Sequence, residues 1–414
     1  MADQHAERTE TARARPARRA WSAIEPRLGE LRALAATRAG RWMVVAVAAI
    51  AAMTVAGLLA LWPYGWHAPA TRVTTPTVSA KVVDVREASC DGAELRCRTL
   101  TIDVGGRRYP LGLGMLSLAP EVSPGTTIRV TRELGVDTNP RAQPYQFAGV
   151  DRRGSLVWLG VLGAILATAL LRWRGVLAVA GVALSVGVLL EFVVPAILAG
   201  RPALLVALVA SLTVMFITLV LTNGIGAQTL AGVLGITATL ALTCLLAWFA
   251  ARFAHIDGKS EGAAATLGVR NGSVSLQGIV LAAMLIGALG VLADTAVTQA
   301  SAVMALRRTN PALRARRLYQ EALTVGRDHL SATIHTLVLA YAGATLTLLL
   351  LLRSGSVSGT DILNNQSIAE PIVATIVGCV ALIAAVPITT GLAAFVVVRV
   401  PAAALPDGGH HHHH

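Results

Sequence analysis

The chain has 414 residues, of which 54% are hydrophobic and only 14% are charged. Soluble domains carry about 25% charged residues, so this composition, with a mean hydropathy of +0.63, indicates that lipid surrounds much of the chain. The net charge of +12 does not predict a nucleic-acid partner, because the arginines cluster beside hydrophobic runs, where they set membrane topology.

The first predicted elements are a basic segment and a membrane anchor. Residues 1–41 contain nine arginines and five acidic residues, and the apolar run 42–62 follows them. No signal-peptide cleavage site follows this run, so we interpret it as a retained first transmembrane helix. The positive-inside rule then predicts a cytoplasmic N-terminus.

The segment 64–150, between the first and second apolar runs, has the short alternating patterns that are typical of β-strands. Glycine-containing pairs supply turns between these patterns. The strand-like runs are 82–85, 99–104 and 127–130, and the turns are Gly105-Gly106 and Pro124-Gly125. We predict a small extracytoplasmic β-domain of four to six strands, with an OB-like barrel as the candidate architecture.

Two cysteines of this domain, Cys90 and Cys97, have six residues between them. On the outer side of a bacterial membrane this spacing predicts a disulfide that closes a hairpin. Too few further ligands lie nearby for a metal site, and we predict neither a metal nor a cofactor. The domain has no histidine after His67 and no catalytic constellation, so we expect it to bind, sense or scaffold.

Seven further apolar runs lie between residues 155 and 398, and each is close to the roughly 20 residues that a membrane-spanning helix needs. They are 155–171, 175–198, 203–222, 227–250, 278–300, 331–352 and 371–397. Glu191 and Pro195 interrupt the second of these seven runs, so this span is either continuous or re-entrant. We predict a polytopic α-helical membrane protein with about eight transmembrane helices.

The charged loops predict the orientation of these helices. Arg172, Arg174 and the five arginines of the loop 307–317 all fall inside if the N-terminus is cytoplasmic. Both termini of a chain with eight spans are then cytoplasmic, and the location is a bacterial inner membrane. The terminal segment 408–414, two glycines and five histidines, is typical of a purification-tag remnant and is set aside.

Ionisable side chains within membrane spans are costly, so each one is a functional candidate. Asp294 is the most informative, because it shares a helical face with small residues that would let another helix approach. These residues are Ala283, Gly287, Gly290 and Thr298. Two interpretations remain, a buried functional aspartate and an aspartate that reaches the interface near a helix end.

The next span offers a possible partner for Asp294. Asp328, Ser331 and His335 share one helical face, and Thr333 lies beside it. Asp294 and His335 both fall in the inner third of the bilayer and could meet there as a pair that exchanges protons near neutral pH. The alternative is a histidine that is satisfied by threonine hydroxyls.

Two further features complete the polar inventory. Residues 311–325 predict an amphipathic helix on the cytoplasmic membrane surface, beginning at Pro311, with Leu318, Ala322 and Val325 on its apolar face. Glu191 is a weaker candidate, which either lines a path or caps a break before Pro195.

Several motifs resemble those of the YibE/F-like membrane proteins, over roughly residues 80–398. The motifs are Ile286-Gly287-Ala288-Leu289-Gly290 through Asp294, Gly326-Arg327-Asp328, Thr336 through Tyr341, Val194 through Gly200, Thr229 through Gly235, and Gly378 with Ala385-Val386-Pro387. The resemblance implies a multispan bacterial membrane protein without a defined biochemical role. The family has asparagine where this chain has His335, so an Asp–His pair is not implied by the resemblance.

A fainter resemblance concerns mechanism. An aspartate span, an amphipathic elbow and a threonine-rich span, with an extracytoplasmic domain after the first span, are similar to half of an RND-type permease or of SecF. That resemblance implies intramembrane acids that couple proton movement to work outside the membrane, by analogy of fold and motif placement.

Two functional hypotheses follow. The first is a proton-coupled transporter or flippase for a lipid or another amphiphile, with Asp294 as the main proton site and the other polar span residues as neighbours. These are His335, Asp328, Thr333, Thr298 and Glu191. The second is a scaffold or sensor whose β-domain binds an envelope partner. We predict no enzymatic activity, because no phosphate-binding loop, H-E-x-x-H or G-x-S-x-G motif occurs. Membrane lipid is the expected partner, and a homo-oligomer is compatible with both hypotheses.

Overall fold

The structure is a computed structural model that describes residues 35–65, 77–89, 96–132, 144–259, 274–355 and 359–400. The chain divides into two units, one comprising residues 67–170 and the other comprising the rest. Most of the basic N-terminal segment, Cys90 and the segment 408–414 lie outside the described residues. The predicted Cys90–Cys97 disulfide therefore stays a prediction.

Eight helices in the described part of the chain are long and apolar enough to cross a membrane, which confirms the predicted number. They indicate a multi-pass membrane protein. The helices are α1 (Arg38–Leu61), α2 (Arg153–Leu171), α3 (Trp173–Leu198), α4 (Ala203–Asn223), α5 (Ala227–Phe253), α6 (Leu276–Thr309), α7 (Ala315–Ser354) and α9 (Gln366–Val397), and the short α8 (Gly359–Asn364) precedes α9.

Polar side chains define where three of these helices begin. Thr37, Ser275 and Asn365 each accept a hydrogen bond, at 3.0–3.1 Å, from a backbone N–H two or three residues further on. Such caps satisfy N–H groups that have no partner within the helix. They fix the first turns of α1, α6 and α9.

Helix α3 is continuous through the position where the sequence left a re-entrant segment open. Its residues Leu189–Val193, which include Glu191, form one π-helical turn that ends two residues before Pro195. Proline has no N–H to donate to the preceding turn, and a wider turn accommodates this loss without ending the helix.

Helix α7 joins two elements that the sequence predicted separately. The surface helix expected near 311–325 and the span expected at 331–352 are one helix of 40 residues, which begins at Ala315 and not at the predicted Pro311. Leu318, Ala322 and Gly326 are buried in its first part, where they pack on the helix bundle. The predicted apolar-face residue Val325 is instead 50% exposed, because Gly326 occupies the packed position.

The bundle core lies where α5, α6 and α9 pack together. Small side chains allow this close approach, as at Gly235 of α5, where an added Cβ would overlap the side chain of Thr389 on α9. Leu285 and Leu292 of α6, Leu240 of α5 and Ala385 of α9 are fully buried in this core.

The β-domain is a curled five-stranded antiparallel sheet in the order β3-β2-β1-β4-β5. Its strands are β1 (Thr77–Ser89), β2 (Arg96–Val104), β3 (Arg107–Met115), β4 (Thr127–Arg132) and β5 (Tyr145–Val150). The predicted strand runs and turns are confirmed, and Gly105 and Gly106 have the positive φ angles that the β2–β3 turn needs.

One face of this sheet forms the core of the domain. Leu100, Ile102, Leu111 and Ile128 are fully buried there. The two edge strands approach each other, since the rings of Tyr109 in β3 and Tyr145 in β5 pack edge to face at 5.0 Å. The curl of the sheet therefore brings its two edge strands, β3 and β5, close together.

Candidate functional site

Helices α6 and α7 pack side by side in opposite directions, and three contacts fix their register. A Cβ at Gly287 would lie 2.5 Å from the Tyr341 hydroxyl, so a larger residue there would displace the end of the tyrosine side chain. Further along α6, Asp294 pairs with a histidine of α7, and then a glutamine of α6 contacts Gly326. The sequence prediction that small residues of α6 admit a neighbouring helix is supported at Gly287.

The second contact is an acid–imidazole pair within the helices. Oδ2 of Asp294 lies 3.5 Å from Nε2 of His329, and the side chains are 64% and 35% exposed. Asp294 is 13 residues before Arg307, the nearest arginine on α6, which corresponds to roughly 20 Å along the helix axis. The carboxylate therefore lies well inside the apolar helix.

His335, the predicted partner of Asp294, makes a different contact. Its Nδ1 lies 2.7 Å from the backbone carbonyl oxygen of Ser331, within its own helix. Positions 329 and 335 are six positions apart, which corresponds to roughly 9 Å along the axis. The structure therefore pairs Asp294 with His329 and not with His335.

The other predicted candidates are dispersed. Thr333 donates a hydrogen bond of 2.8 Å to the backbone carbonyl of His329. This contact is within α7 and does not involve the imidazole ring. Asp328 and Glu191 are exposed, and Thr298 is half-buried. Among the residues that the structure describes, no hydrogen bond or ion pair connects these three to Asp294.

A second polar contact of α6 was not predicted from the sequence. Gln299 is fully buried, and its Oε1 accepts a hydrogen bond of 2.8 Å from the Thr390 hydroxyl of α9. A Cβ at Gly326 of α7 would lie 2.7 Å from the same Oε1. The amide of Gln299 therefore joins α6, α7 and α9, and we call these three residues the Gln299 node.

Part of this node has unused hydrogen-bonding capacity. Nε2 of Gln299 and the hydroxyl of Thr295, one turn earlier on α6, are buried and have no hydrogen-bond partner within the described ranges. A buried polar atom without a partner costs about 1–3 kcal/mol. The node is thus a packing contact with buried polar atoms, in and next to it, that have no hydrogen-bond partner.

Sequence signals for both missed residues exist. Gln299 is an amide within an apolar helix, one turn after Thr295. His329 directly follows the Gly326-Arg327-Asp328 motif. Either could have been recognised as costly in lipid, but their partners depend on how the helices pack.

Outside the spans, one carboxylate has a perturbed pKa. The pKa of Asp257, in the loop after α5, is lowered chiefly because the backbone N–H of Lys259 donates to Oδ1 at 3.0 Å. A hydrogen bond from Gln366, at the start of α9, lowers it further. In the part of the chain that the structure describes, no group of three or more His, Cys, Asp or Glu side chains could hold a metal ion.

The YibE/F-like protein family matches residues 159–399, more than half of the chain. This match includes Asp294, His329 and the Gln299 node. The chain belongs to the YibE/F-like family. The family match begins after the β-domain, although the sequence resemblance was expected from about residue 80. No curated protein and no solved structure matches the chain.

Proposed function

We propose that this YibE/F-like protein is a proton-coupled membrane transporter or flippase for a lipid or another amphiphile. The observation that carries the proposal is the Asp294–His329 pair, 3.5 Å apart inside two apolar helices. A charged group in lipid is costly unless it is paired. Proton binding to either member changes the charge of the pair and therefore the attraction between α6 and α7.

The open side of the pair supports proton exchange. About two thirds of the Asp294 side chain is not covered by protein, so its protonation does not require α6 and α7 to separate. Imidazole is the side chain that ordinarily changes its charge between about pH 5 and 8. The pair thus combines a carboxylate and an imidazole, the two side-chain types that the proposed proton coupling needs.

An apolar surface further along α7 supports an amphiphilic substrate. No residue of α7 after Leu337 is buried, and the exposed side chains there are mostly apolar, such as Leu339, Leu346 and Leu350. A lipid tail can lie against this surface while a polar headgroup reaches Asp294. A small water-soluble substrate would need a polar path instead.

The charge distribution supports a cytoplasmic location for both termini in a bacterial inner membrane. Arg172 and Arg174 lie at the start of α3, and five arginines lie between the end of α6 and the first turn of α7. The positive-inside rule assigns these ends to the cytoplasm. The β-domain, which precedes α2 in the chain, is then outside.

The test is lipid movement in reconstituted vesicles under an imposed pH gradient, followed with fluorescent phospholipids. We expect Asp294→Asn and His329→Gln to abolish the pH-driven component. Glu321→Gln is the matched control, because it removes an exposed carboxylate of α7 remote from the pair in sequence. Size-exclusion profiles verify that each variant is folded. Equal pH-driven rates for wild type and Asp294→Asn would refute the proposal.

A second candidate function is binding of an envelope component by the β-domain. The observation that favours it is the curled sheet, whose edge strands meet at Tyr109 and Tyr145, as in an OB-like barrel with a ligand-binding face. This function predicts that deletion of residues 70–150 removes activity in cells while Asp294→Asn has no effect. The transporter proposal predicts a loss with Asp294→Asn.

A further inference from the structure

A polar cavity of about 390 Å³ lies where four helices of the bundle end. Its volume is in the range of roughly 300–1,000 Å³ that is usual for small-molecule sites. The lining residues used here are Arg174 and Leu177 of α3, Asn223 of α4, Gln228 of α5, and Ser301 and Arg308 of α6. None of the described residues that line the cavity is acidic, so it carries two positive charges.

The amides of the cavity are connected and orient one hydroxyl. Nε2 of Gln228 donates to Oγ of Ser301 at 2.6 Å and lies 3.5 Å from Oδ1 of Asn223. Because the Ser301 oxygen accepts a hydrogen bond, its own hydrogen can be donated to a ligand. The cavity therefore offers a hydroxyl donor beside its two guanidinium groups.

The arginines have donors to spare. Nε of Arg308 is buried and has no hydrogen-bond partner among the described residues. Neither Arg174 nor Arg308 forms an ion pair with a described carboxylate. Charge-assisted hydrogen bonds to an anion would satisfy such donors.

We propose that this cavity binds a phosphate group, which either an anionic phospholipid headgroup or free phosphate supplies. Phosphate oxygens match the planar donors of arginine. Arg174 is the second residue of α3 and Arg308 the last but one of α6, so the cavity lies at the helix ends, where lipid headgroups lie. The inference is independent of proton coupling at Asp294.

The experiment measures thermal stabilisation of the purified full chain in two arms. One arm adds phosphatidylglycerol to protein in phosphatidylcholine nanodiscs, and the other adds inorganic phosphate to the same nanodiscs without anionic lipid. The variants are Arg174→Gln and Arg308→Gln, with Arg174→Lys and Arg308→Lys to retain the charge. The double variant Arg316→Gln with Arg317→Gln is the control, because it removes two exposed charges outside the cavity.

We expect each glutamine variant to raise the half-saturating ligand concentration about tenfold. This change corresponds to the loss of one or two charge-assisted hydrogen bonds. The lysine variants should recover part of the affinity, and the control should bind as the wild type does. Stabilisation only by phosphatidylglycerol identifies a lipid headgroup, and stabilisation by phosphate alone identifies a free anion. Binding that is equal in the cavity variants and the control, or absent in both arms, would overturn the proposal.

Discussion

Two polar positions of α6, five residues apart, have opposite surroundings. Gln299 is fully buried in a contact among three helices, whereas Asp294 is about two thirds exposed and contacts a single histidine. Both side chains are costly in an apolar helix. Helix α6 thus has a neutral amide where it packs against two other helices and an acidic side chain where one of its sides is not covered by protein.

The strongest test of the packed position is Gly326→Ala. The new Cβ would lie 2.7–2.8 Å from Gln299 and Val386, and overpacking of this kind costs about 1–3 kcal/mol. We expect a lower midpoint of unfolding in detergent. Gly343→Ala, on the same helix with nothing within 4 Å of its added Cβ, should be neutral or stabilising. Equal midpoints for the two variants would contradict the packed node.

A comparison of two histidines of α7 tests which of them acts with the exposed Asp294. If the pair forms with His329, then His329→Gln should reduce pH-driven transport at least about tenfold, or about 1.4 kcal/mol in transition-state free energy. His335→Gln should change the same rate less than about twofold, because the hydrogen bond of the His335 ring is to the Ser331 carbonyl of its own helix. The reverse order of effects would instead favour the pairing predicted from the sequence.

A smaller effect is expected for Gln299→Leu. The substitution removes one hydrogen bond from Thr390 but also removes the unpartnered Nε2. Since an ordinary hydrogen bond contributes about 0.5–1.5 kcal/mol, the loss of stability should stay within that range. Chemical denaturation in mixed micelles measures it. A loss as large as that of Gly326→Ala would mean that the amide, and not the close approach, holds the three helices.

The smallest effect concerns Asp257, which lies outside the spans. Its lowered pKa means that the ionised form stabilises the fold at pH values above its ordinary pKa of about 3.9. This contribution is lost as the pH falls through the lower pKa of the folded state. Asp257→Asn should therefore lower the thermal midpoint slightly at pH 7, and the effect should shrink as the pH falls below that ordinary pKa. A difference that is independent of pH would exclude ionisation as its cause.

Much of the fold could be predicted, because its signals are local. Apolar runs of about 20 residues give the number of helices, and alternation with Gly105-Gly106 gives the β2–β3 hairpin. The continuity of α7 could not be predicted in this way. Its first part contains the charged residues Arg316, Arg317 and Asp328, so the local hydropathy is too low to predict a span. The helix nevertheless continues through this part, because Leu318 is buried against the bundle.

The candidate site was only half predictable for a related reason. The cost of an acid in lipid identifies Asp294 from the sequence alone. Its partner depends on the register between α6 and α7, and a shift of six residues separates His329 from His335. Gln299 and the arginine-lined cavity depend on contacts among three and four helices, and no local pattern encodes these contacts.

The unbroken length of α7 has a mechanical consequence. Its contact with Gly287 of α6 is made by Tyr341, which is 13 residues before the end of the helix at Ser354, a span of roughly 20 Å. With this contact as a pivot, a tilt of about 10° would move the far end by about 3 Å over that span. No residue of this last stretch is buried, so such a tilt would leave the packed contacts at Gly326 and Gly287 in place.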